Sequence, residues 1–313
     1  MLEPRLEAVT CASPAGLHRM AYWEWGDPDN DRVLLCVHGL TRTGRDFDTL
    51  ARRMAGEYRV VCPDVVGRGR SDRLNNPAFY TVPQYVGDMV TLLARLRARK
   101  LAWVGTSMGG LIGMALGGAS ALARRHPKAA PGAVQVPAAS SIEVERMVIN
   151  DVGPRLETNA LGRIGQFVGQ PMAFASFEEA VAYTREVSAT FGPHSDTQWR
   201  ELSRHTYAES EGSWSKHYDL QLAVPFVMAD ADPQAAAVGE QLLWHAYEQL
   251  DCPILLVRGA QSDLLSDDTA KEMLARNDRA RLIQVQGVGH APTLMHDDQV
   301  EPVAAFLLED LPR

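Results

Sequence analysis

Residues 101–123, LAWVGTSMGGLIGMALGGASALA, contain no charged side chain, although 22% of the residues of the chain are charged. A stretch of this length is long enough for a helix that crosses a membrane, but it can equally form a buried strand and helix or carry a catalytic site. Six glycines, two of them the adjacent Gly109 and Gly110, disfavour a spanning helix because glycine weakens helices. We therefore expect a buried segment and no membrane span.

The stretch divides into an apolar strand, LAWVG, a tight turn, TSMGG, and a helix from about Met108 onward. Gly105, Ser107 and Gly109 form the pattern G-x-S-x-G of a nucleophile elbow, in which small residues on both sides of the serine let the backbone turn sharply and expose the hydroxyl. The start of the helix favours negative charge that develops beside it. The predicted strand and helix on either side make Ser107 a candidate nucleophile.

A serine hydroxyl attacks well only when a histidine takes its proton and an acid orients that histidine. Asp263, in RGAQSD, and His290, in GVGHAPTL, each follow a predicted strand and come after Ser107 in the order serine, acid, histidine. Both would lie at the carboxyl ends of neighbouring strands, where an open α/β sheet builds its site. The sequence predicts a triad of Ser107, Asp263 and His290, with Asp151 in VINDVGP as the competing acid.

The oxyanion of an acyl-transfer reaction also needs preorganised donors. The turn after RVLLCVHG can aim the backbone N–H of Leu40 at the same point as the backbone N–H of Met108. We predict these two groups as the oxyanion hole. We interpret His38, in the same turn, as a structural residue and not as a base.

Short apolar runs recur along the chain, each stopped by glycine or aspartate and most separated by helical sequence. They are RVLLCVHG, YRVVCPDVVG, LAWVGTS, ERMVINDVG, CPILLVRGAQSD and ARLIQVQGVGH. Alternation of this kind predicts an α/β fold with a doubly wound, mostly parallel sheet.

Strand signals disappear between residues 154 and 247, where helical patterns such as SFEEAVAYTREV take over. We expect the core to comprise residues 1–153 and 248–313, and residues 154–247 to form an inserted helical cap. Residues 128–141, rich in Ala and Pro, predict an exposed loop whose role the sequence leaves open.

Composition excludes several partners and cofactors. The net charge is −8 and basic residues do not cluster, which argues against nucleic acid binding. The histidines are scattered without metal spacing, so we expect neither metal nor cofactor. No signal peptide is recognisable, which predicts a cytoplasmic protein, and we expect a monomer or homodimer. Four widely spaced cysteines are interpreted as small buried hydrophobic residues: Cys11, Cys36, Cys62 and Cys252.

With these residues assembled, the chain resembles the α/β-hydrolase fold superfamily over nearly its whole length. The motifs HGLTRTG, DVVGRGRSD, GTSMGG, RGAQSD and GVGHAPTL occur in the family's order. The resemblance implies Ser107 as nucleophile, His290 as base and Asp263 as acid, and it implies a cap over residues 154–247. In DVVGRGRSD the resemblance implies a structural turn, in which Arg68 and Ser71 shape the sheet edge.

Family members that open epoxides or displace halide use aspartate at the nucleophile position, so Ser107 argues against both reactions. We expect a small-molecule carboxylic ester, cleaved through an acyl-enzyme. On the same triad a carbon–carbon hydrolase, a lactonase, a thioesterase and a cofactor-free perhydrolase stay open, as does a non-catalytic binding protein of this fold.

The cap offers candidate substrate contacts of two kinds. A diketone-acid substrate would need a basic clamp, for which Arg155, Arg163 or Arg185 could serve. Aromatic residues could line an apolar pocket, although most are expected in the core of the cap: Phe167, Phe174, Phe177, Tyr183, Phe191, Trp199, Trp214 and Phe226.

Overall fold

The structure, a computed structural model, describes residues 3–125 and 141–309. Its strands are β1 (Arg5–Ser13), β2 (Gly16–Trp25), β3 (Val33–Val37), β4 (Arg59–Pro63), β5 (Lys100–Thr106), β6 (Glu143–Asn150), β7 (Ala173–Phe174), β8 (Tyr207–Ser210), β9 (Ser213–Lys216), β10 (Ile254–Gly259) and β11 (Ala280–Val285). Its helices are α1 (Asp48–Met54), α2 (Val82–Leu96), α3 (Met108–Arg125), α4 (Thr158–Val168), α5 (Phe177–Val187), α6 (Asp196–Arg204), α7 (Val224–Ala231), α8 (Pro233–Gln249), α9 (Asp267–Arg276) and α10 (Asp297–Leu308).

Eight strands form the central sheet, in the order β1-β2-β4-β3-β5-β6-β10-β11. The pairs β1–β2 and β2–β4 are antiparallel, and every pair from β4 to β11 across the sheet is parallel. The prediction of an α/β fold with a mostly parallel, doubly wound sheet is confirmed. The carboxyl ends of β3, β5, β6, β10 and β11 therefore meet at one edge of the sheet.

The central strands are apolar along their whole length because both faces of the sheet are covered. Every residue of β3 and of β10 is buried. Successive side chains enter different cores: Leu35 and Trp103 pack on one side of the sheet, Leu34 and Val104 on the other. These two cores hold the strand ends rigidly in register.

The charge-free stretch forms β5, the turn at Ser107 and α3, as the sequence predicts. Its glycines let the helix approach the sheet closely. A Cβ on Gly109 would stand 1.9 Å from the carbonyl oxygen of Val37, and one on Gly105 would stand 2.3 Å from that of Gly109. Any larger residue at either position would push the helix away from the sheet. Among the described residues, no helix is both long and apolar enough to span a membrane.

The segment between β6 and β10 contains α4 to α8, as its helical pattern predicts, but it also contains strands that the sequence analysis missed. β7, β9 and β8 form a separate three-stranded antiparallel sheet. Each has four residues or fewer, too short for a recognisable alternation, and β8 and β9 join through Glu211 and Gly212, both at positive φ. The segment is thus helical with a small sheet, and we refer to it as the cap.

Two predictions about the rest of the chain have different outcomes. The four cysteines are all buried and free, as expected of small apolar residues. The predicted loop at residues 128–141 lies outside the described residues except for its last position, Ser141.

Candidate active site

Ser107 lies at the sharp turn between β5 and α3, with a φ of 52° that a residue with a side chain rarely adopts. Its backbone N–H donates to the carbonyl oxygen of Asn150 at the end of β6, over 2.8 Å. The Asn150 side chain donates to Thr106 Oγ1 and to the carbonyl oxygen of Pro292. These bonds fix the turn, and Ser107 faces a cavity between the sheet edge and the cap.

His290 lies in the loop after β11 and reaches back across the sheet edge to Ser107. Its Nε2 is 3.0 Å from Ser107 Oγ, and its Nδ1 is 2.8 Å from Asp151 Oδ2. Asp151 can accept only, so Nδ1 carries a proton and Nε2 is free to receive the serine proton. The serine, histidine and carboxylate side chains thus form a continuous chain of hydrogen bonds.

Asp151 follows β6 directly and has a φ of 59°, which turns its side chain towards the His290 loop. Its carboxylate is fully buried, whereas the His290 side chain is 13% exposed. Oδ1 accepts from the backbone N–H of Gly259, and Oδ2 accepts from Ser262 Oγ as well as from His290. Three hydrogen bonds thus satisfy a carboxylate that has no contact with water.

The structure corrects the sequence analysis at this point. Asp263, expected as the orienting acid, is exposed on the loop after β10, and the carboxylate that meets His290 Nδ1 is that of Asp151. The loop after β10 instead contributes Gly259 N–H and Ser262 Oγ as donors to Asp151. Asp151 directly follows β6, and β6 is the immediate neighbour of the nucleophile strand β5 in the sheet.

The two residues predicted to supply the oxyanion donors, Leu40 and Met108, are both near the nucleophile. Met108 is the first residue of α3, where backbone N–H groups have no partner within the helix. Leu40 lines the cavity with Ser107, and a Cβ on the preceding Gly39 would stand 3.6 Å from Ser107 Cβ. The Leu40 turn is therefore in contact with the nucleophile.

His38 orients the peptide group that carries the Leu40 N–H. The backbone N–H of Val65 donates to His38 Nε2 over 2.9 Å, so the ring proton is on Nδ1, and Nδ1 donates to the carbonyl oxygen of Gly39 over 2.7 Å. That carbonyl and the Leu40 N–H belong to one planar peptide. Burial lowers the pKa of His38 to about 3, which keeps this tautomer neutral.

Arg68 also stabilises the turn that contains Leu40. The side chain is fully buried, and its Nε donates to the carbonyl oxygen of Leu40 over 2.7 Å. Its Nη1 donates to the carbonyl oxygen of Val66 and to Tyr85 Oη. The sequence analysis assigned Arg68 to the shape of the sheet edge, but the structure connects it to the Leu40 turn directly.

The cap supplies the opposite wall of the cavity. Of the predicted aromatic residues, Phe167, Tyr183 and Phe191 line it, whereas Trp199 packs in a small core of the cap with Leu202. The remaining aromatic candidates are not among the lining residues: Phe174, Phe177, Trp214 and Phe226. The wall is largely apolar, as an aliphatic substrate requires.

Two of the three arginines suggested as a clamp do not line the cavity. Arg155 pairs with Glu240 and Glu272, and Arg185 pairs with Asp196. The Arg163 side chain lies outside the described part of the structure.

Two other cations line the cavity, Arg42 and Lys216, and the sequence analysis singled out neither. No sequence pattern pointed to Lys216, because the strand that contains it, β9, was not recognised from the sequence.

One group of described residues has the composition of a metal site: Cys11, His18 and Asp88, all buried between the β1–β2 hairpin and α2. His18 Nε2 and Asp88 Oδ2 are directly paired at 3.0 Å, and none of the three lines the cavity. A metal at that position would not reach the reaction centre.

Comparisons with known proteins identify the family of this chain. Residues 34–306 match the model of the alpha/beta hydrolase family. A 3-hydroxybutyrate-oligomer hydrolase of Cupriavidus necator is 52% identical over 307 residues, which cover 97% of this chain and 97% of that protein.

Solved structures extend the comparison to the fold. An alpha/beta hydrolase from Novosphingobium aromaticivorans is 32% identical, with a TM-score of 0.79 over 98% of this chain and 99% of that one. A protein from Rickettsia typhi, 24% identical, reaches a TM-score of 0.82 over 98% of this chain and 100% of its own. The second likeness bears on the fold alone.

Proposed function

This chain belongs to the alpha/beta hydrolase family and is an ester-bond hydrolase, and on that premise we propose that it cleaves 3-hydroxybutyrate oligomers with Ser107, His290 and Asp151 as its triad. The choice of substrate rests on the 52% identity to the Cupriavidus necator enzyme over 97% of both chains. The continuous hydrogen bonds from Ser107 to Asp151 support the choice of residues.

The first half of the reaction forms an acyl-enzyme. Ser107 Oγ attacks the ester carbonyl carbon while His290 Nε2 takes its proton. The tetrahedral intermediate collapses, the carbon–oxygen bond to the next unit breaks, and His290 gives its proton to the departing alcohol oxygen. The buried Asp151 carboxylate stabilises the imidazolium that exists between these two steps.

The second half releases the acid. A water molecule enters the position vacated by the alcohol, His290 Nε2 accepts its proton, and the hydroxide attacks the acyl carbon of the ester on Ser107. Collapse of the second intermediate returns the proton to Ser107 Oγ and leaves a free carboxylic acid. The sum is one water consumed for each ester bond broken.

The oxyanion of both intermediates accepts from the N–H groups of Leu40 and Met108 in this proposal. The His38 hydrogen bond to the Gly39 carbonyl supports the Leu40 group, because it sets the plane of the peptide that carries the N–H. The helix that starts at Met108 adds the positive end of its dipole.

The test uses purified protein, the trimer of 3-hydroxybutyrate and quantification of released monomer. Ser107→Ala should lower kcat at least about 10⁴-fold and abolish labelling by a fluorophosphonate, since no other group can form the acyl-enzyme. Ser210→Ala, a serine exposed on β8, is the matched control and should keep wild-type turnover. Turnover retained by Ser107→Ala would overturn the triad, and a wild-type enzyme inactive on the trimer but active on simple esters would overturn the substrate.

We further propose a cytoplasmic location and a monomeric or homodimeric state. Four buried free cysteines support a reducing compartment. Fractionation of cells and sedimentation of the purified protein test these two points separately.

A further inference from the structure

Lys216 is held at the cap wall of the cavity by two hydrogen bonds to the carboxyl end of α4. Its Nζ donates to the carbonyl oxygens of Phe167 and Gln170, over 2.7 and 2.9 Å. An ammonium has three donors, so one N–H remains for a group in the cavity.

The chain that follows Lys216 is tied to the core beneath the cavity. His217 Nδ1 accepts from the backbone N–H of Gly69, and the backbone N–H of Asp219 donates to the carbonyl oxygen of Gly67. Tyr80 Oη donates to the buried Asp219 carboxylate over 2.7 Å. These contacts on the turn at residues 67–69 fix where β9 ends, and so fix the base of the Lys216 side chain.

The charge of Lys216 is not neutralised by a carboxylate among the described residues. Arg42, the other cation of the cavity wall, is paired through two nitrogens with Asp46, and its remaining contacts are Thr206 Oγ1 and the carbonyl oxygen of Leu202. Both oxygens bonded to Lys216 are neutral carbonyls. The cavity therefore carries one positive charge in excess, on the cap side.

Two other lysines of the chain provide the contrast. A hydrogen bond to Glu143 raises the pKa of Lys100, and a hydrogen bond to Asp267 raises the pKa of Lys271. Burial lowers the pKa of Lys216, with no carboxylate to oppose it. Because the Lys216 ammonium is half-buried, an anion that enters the cavity beside it would be stabilised by its charge.

We propose that Lys216 forms a subsite for the free carboxylate at the end of the oligomer, an inference that rests on the proposed function. A 3-hydroxybutyrate oligomer has one hydroxyl end and one carboxylate end, and only the carboxylate end is charged. An ammonium with a spare donor binds that end more strongly than the neutral ester and hydroxyl groups of the oligomer, because hydrogen bonds between two charged groups are the stronger ones.

This subsite determines which ester bond of the oligomer is cleaved. When Ser107 attacks an ester bond, the fragment on the hydroxyl side becomes the acyl group, and the fragment with the carboxylate becomes the alcohol. His290 protonates the alcohol oxygen as its bond to the acyl carbon breaks. Lys216 thus binds the leaving fragment, and the enzyme shortens its substrate from the carboxylate end.

The experiment compares the 3-hydroxybutyrate trimer with its methyl ester, in which one added methyl group removes the charge, and it follows cleavage of the bonds between the 3-hydroxybutyrate units. Wild-type enzyme should prefer the free acid about 10-fold or more in kcat/KM, mainly through KM. Lys216→Met should lose that preference, and Lys216→Arg should retain most of it. Lys271→Met removes an exposed lysine outside the cavity and should leave the preference unchanged.

The ratio of kcat/KM for the two substrates distinguishes a role of Lys216 in substrate recognition from a purely structural role. If Lys216 only joins β9 to the end of α4, Lys216→Met will lower thermal stability and slow both substrates equally, and the proposal is then wrong. A wild-type ratio near one overturns it without any variant, even if Lys216→Met does not fold.

A second substrate pair distinguishes this proposal from the proposed function. The pair 3-acetoxybutyrate and methyl 3-acetoxybutyrate has the same leaving fragment but no oligomer as acyl group. A Lys216-dependent preference for 3-acetoxybutyrate, in an enzyme that fails to cleave the trimer, would retain the carboxylate subsite and reject the oligomer as substrate.

Discussion

The two walls of the cavity are built on different principles. The sheet wall presents Ser107 and His290, with Asp151 buried behind them, and all three are fixed by short contacts with neighbouring strands or loops. The cap wall presents apolar side chains and Lys216 from short helices and a small antiparallel sheet. The sheet wall determines which bond is broken, because its groups must meet within hydrogen-bond distance. The cap wall selects the molecule, because it needs only a matching shape and charge.

This contrast predicts that substitutions on the sheet wall change kcat, whereas substitutions on the cap wall change which substrate is preferred. Ser107 and Lys216 are the two extremes. The following variants replace residues to which the sequence alone would have assigned a different role.

The largest expected effect concerns the two candidate acids. Asp151→Asn keeps the shape but removes the acceptor that holds the His290 Nδ1 proton, so kcat should fall by about 10³- to 10⁴-fold. Asp263→Asn should change kcat by less than about 10-fold, because Asp263 is exposed and Asp151 takes the place opposite Nδ1. Steady-state kinetics of both variants on one ester measure the two losses of kcat. A larger loss from Asp263→Asn would mean that the acid of the triad is Asp263, on the loop after β10.

A smaller effect concerns His38, with two substitutions that each retain one of its hydrogen bonds. His38→Asn can still donate to the Gly39 carbonyl but loses the acceptor for Val65 N–H, and His38→Gln does the reverse. If His38 orients the Leu40 N–H, His38→Gln should lower kcat about 10- to 100-fold and more than His38→Asn, with KM little changed. Equal losses of kcat that follow thermal stability would assign His38 to the fold alone.

The smallest effect concerns stability at the boundary between cap and core. Burial lowers the pKa of His217 from 6.5 to about 3, so the unfolded chain binds a proton more readily than the folded one. Its contribution to the free energy of unfolding is complete above about pH 6.5 and declines as the pH falls towards 3. His217→Gln should reduce the slope of that free energy against pH in this window by up to about 1.4 kcal/mol per pH unit.

Chemical denaturation at several pH values between 7 and 4 measures this slope, with His245→Gln at an exposed position of α8 as the control for the loss of a histidine. An unchanged slope in His217→Gln would mean that the boundary between cap and core opens before His217 titrates.

The residues of the sheet wall were easier to predict from the sequence than those of the cap wall. The strands of the sheet were recognisable because each is a short apolar run ended by glycine or aspartate, and Ser107 and His290 follow two of them directly. The strands of the cap have two to four residues, and Lys216 on β9 gave no pattern. The cap aromatics were listed correctly as a group, but only Phe167, Tyr183 and Phe191 line the cavity.

The sequence by itself determined the parallel sheet, the elbow at Ser107 and the order of the motifs, because periodicity and close-packed glycines are local properties. The tertiary structure decided between Asp151 and Asp263. Both follow strands that end at the same edge, and the choice depends on a positive φ at Asp151 and on the position of β6 beside β5. It also decided that Lys216 lines the cavity with no carboxylate partner in the described part of the chain, because the neighbours of a side chain depend on how distant segments pack.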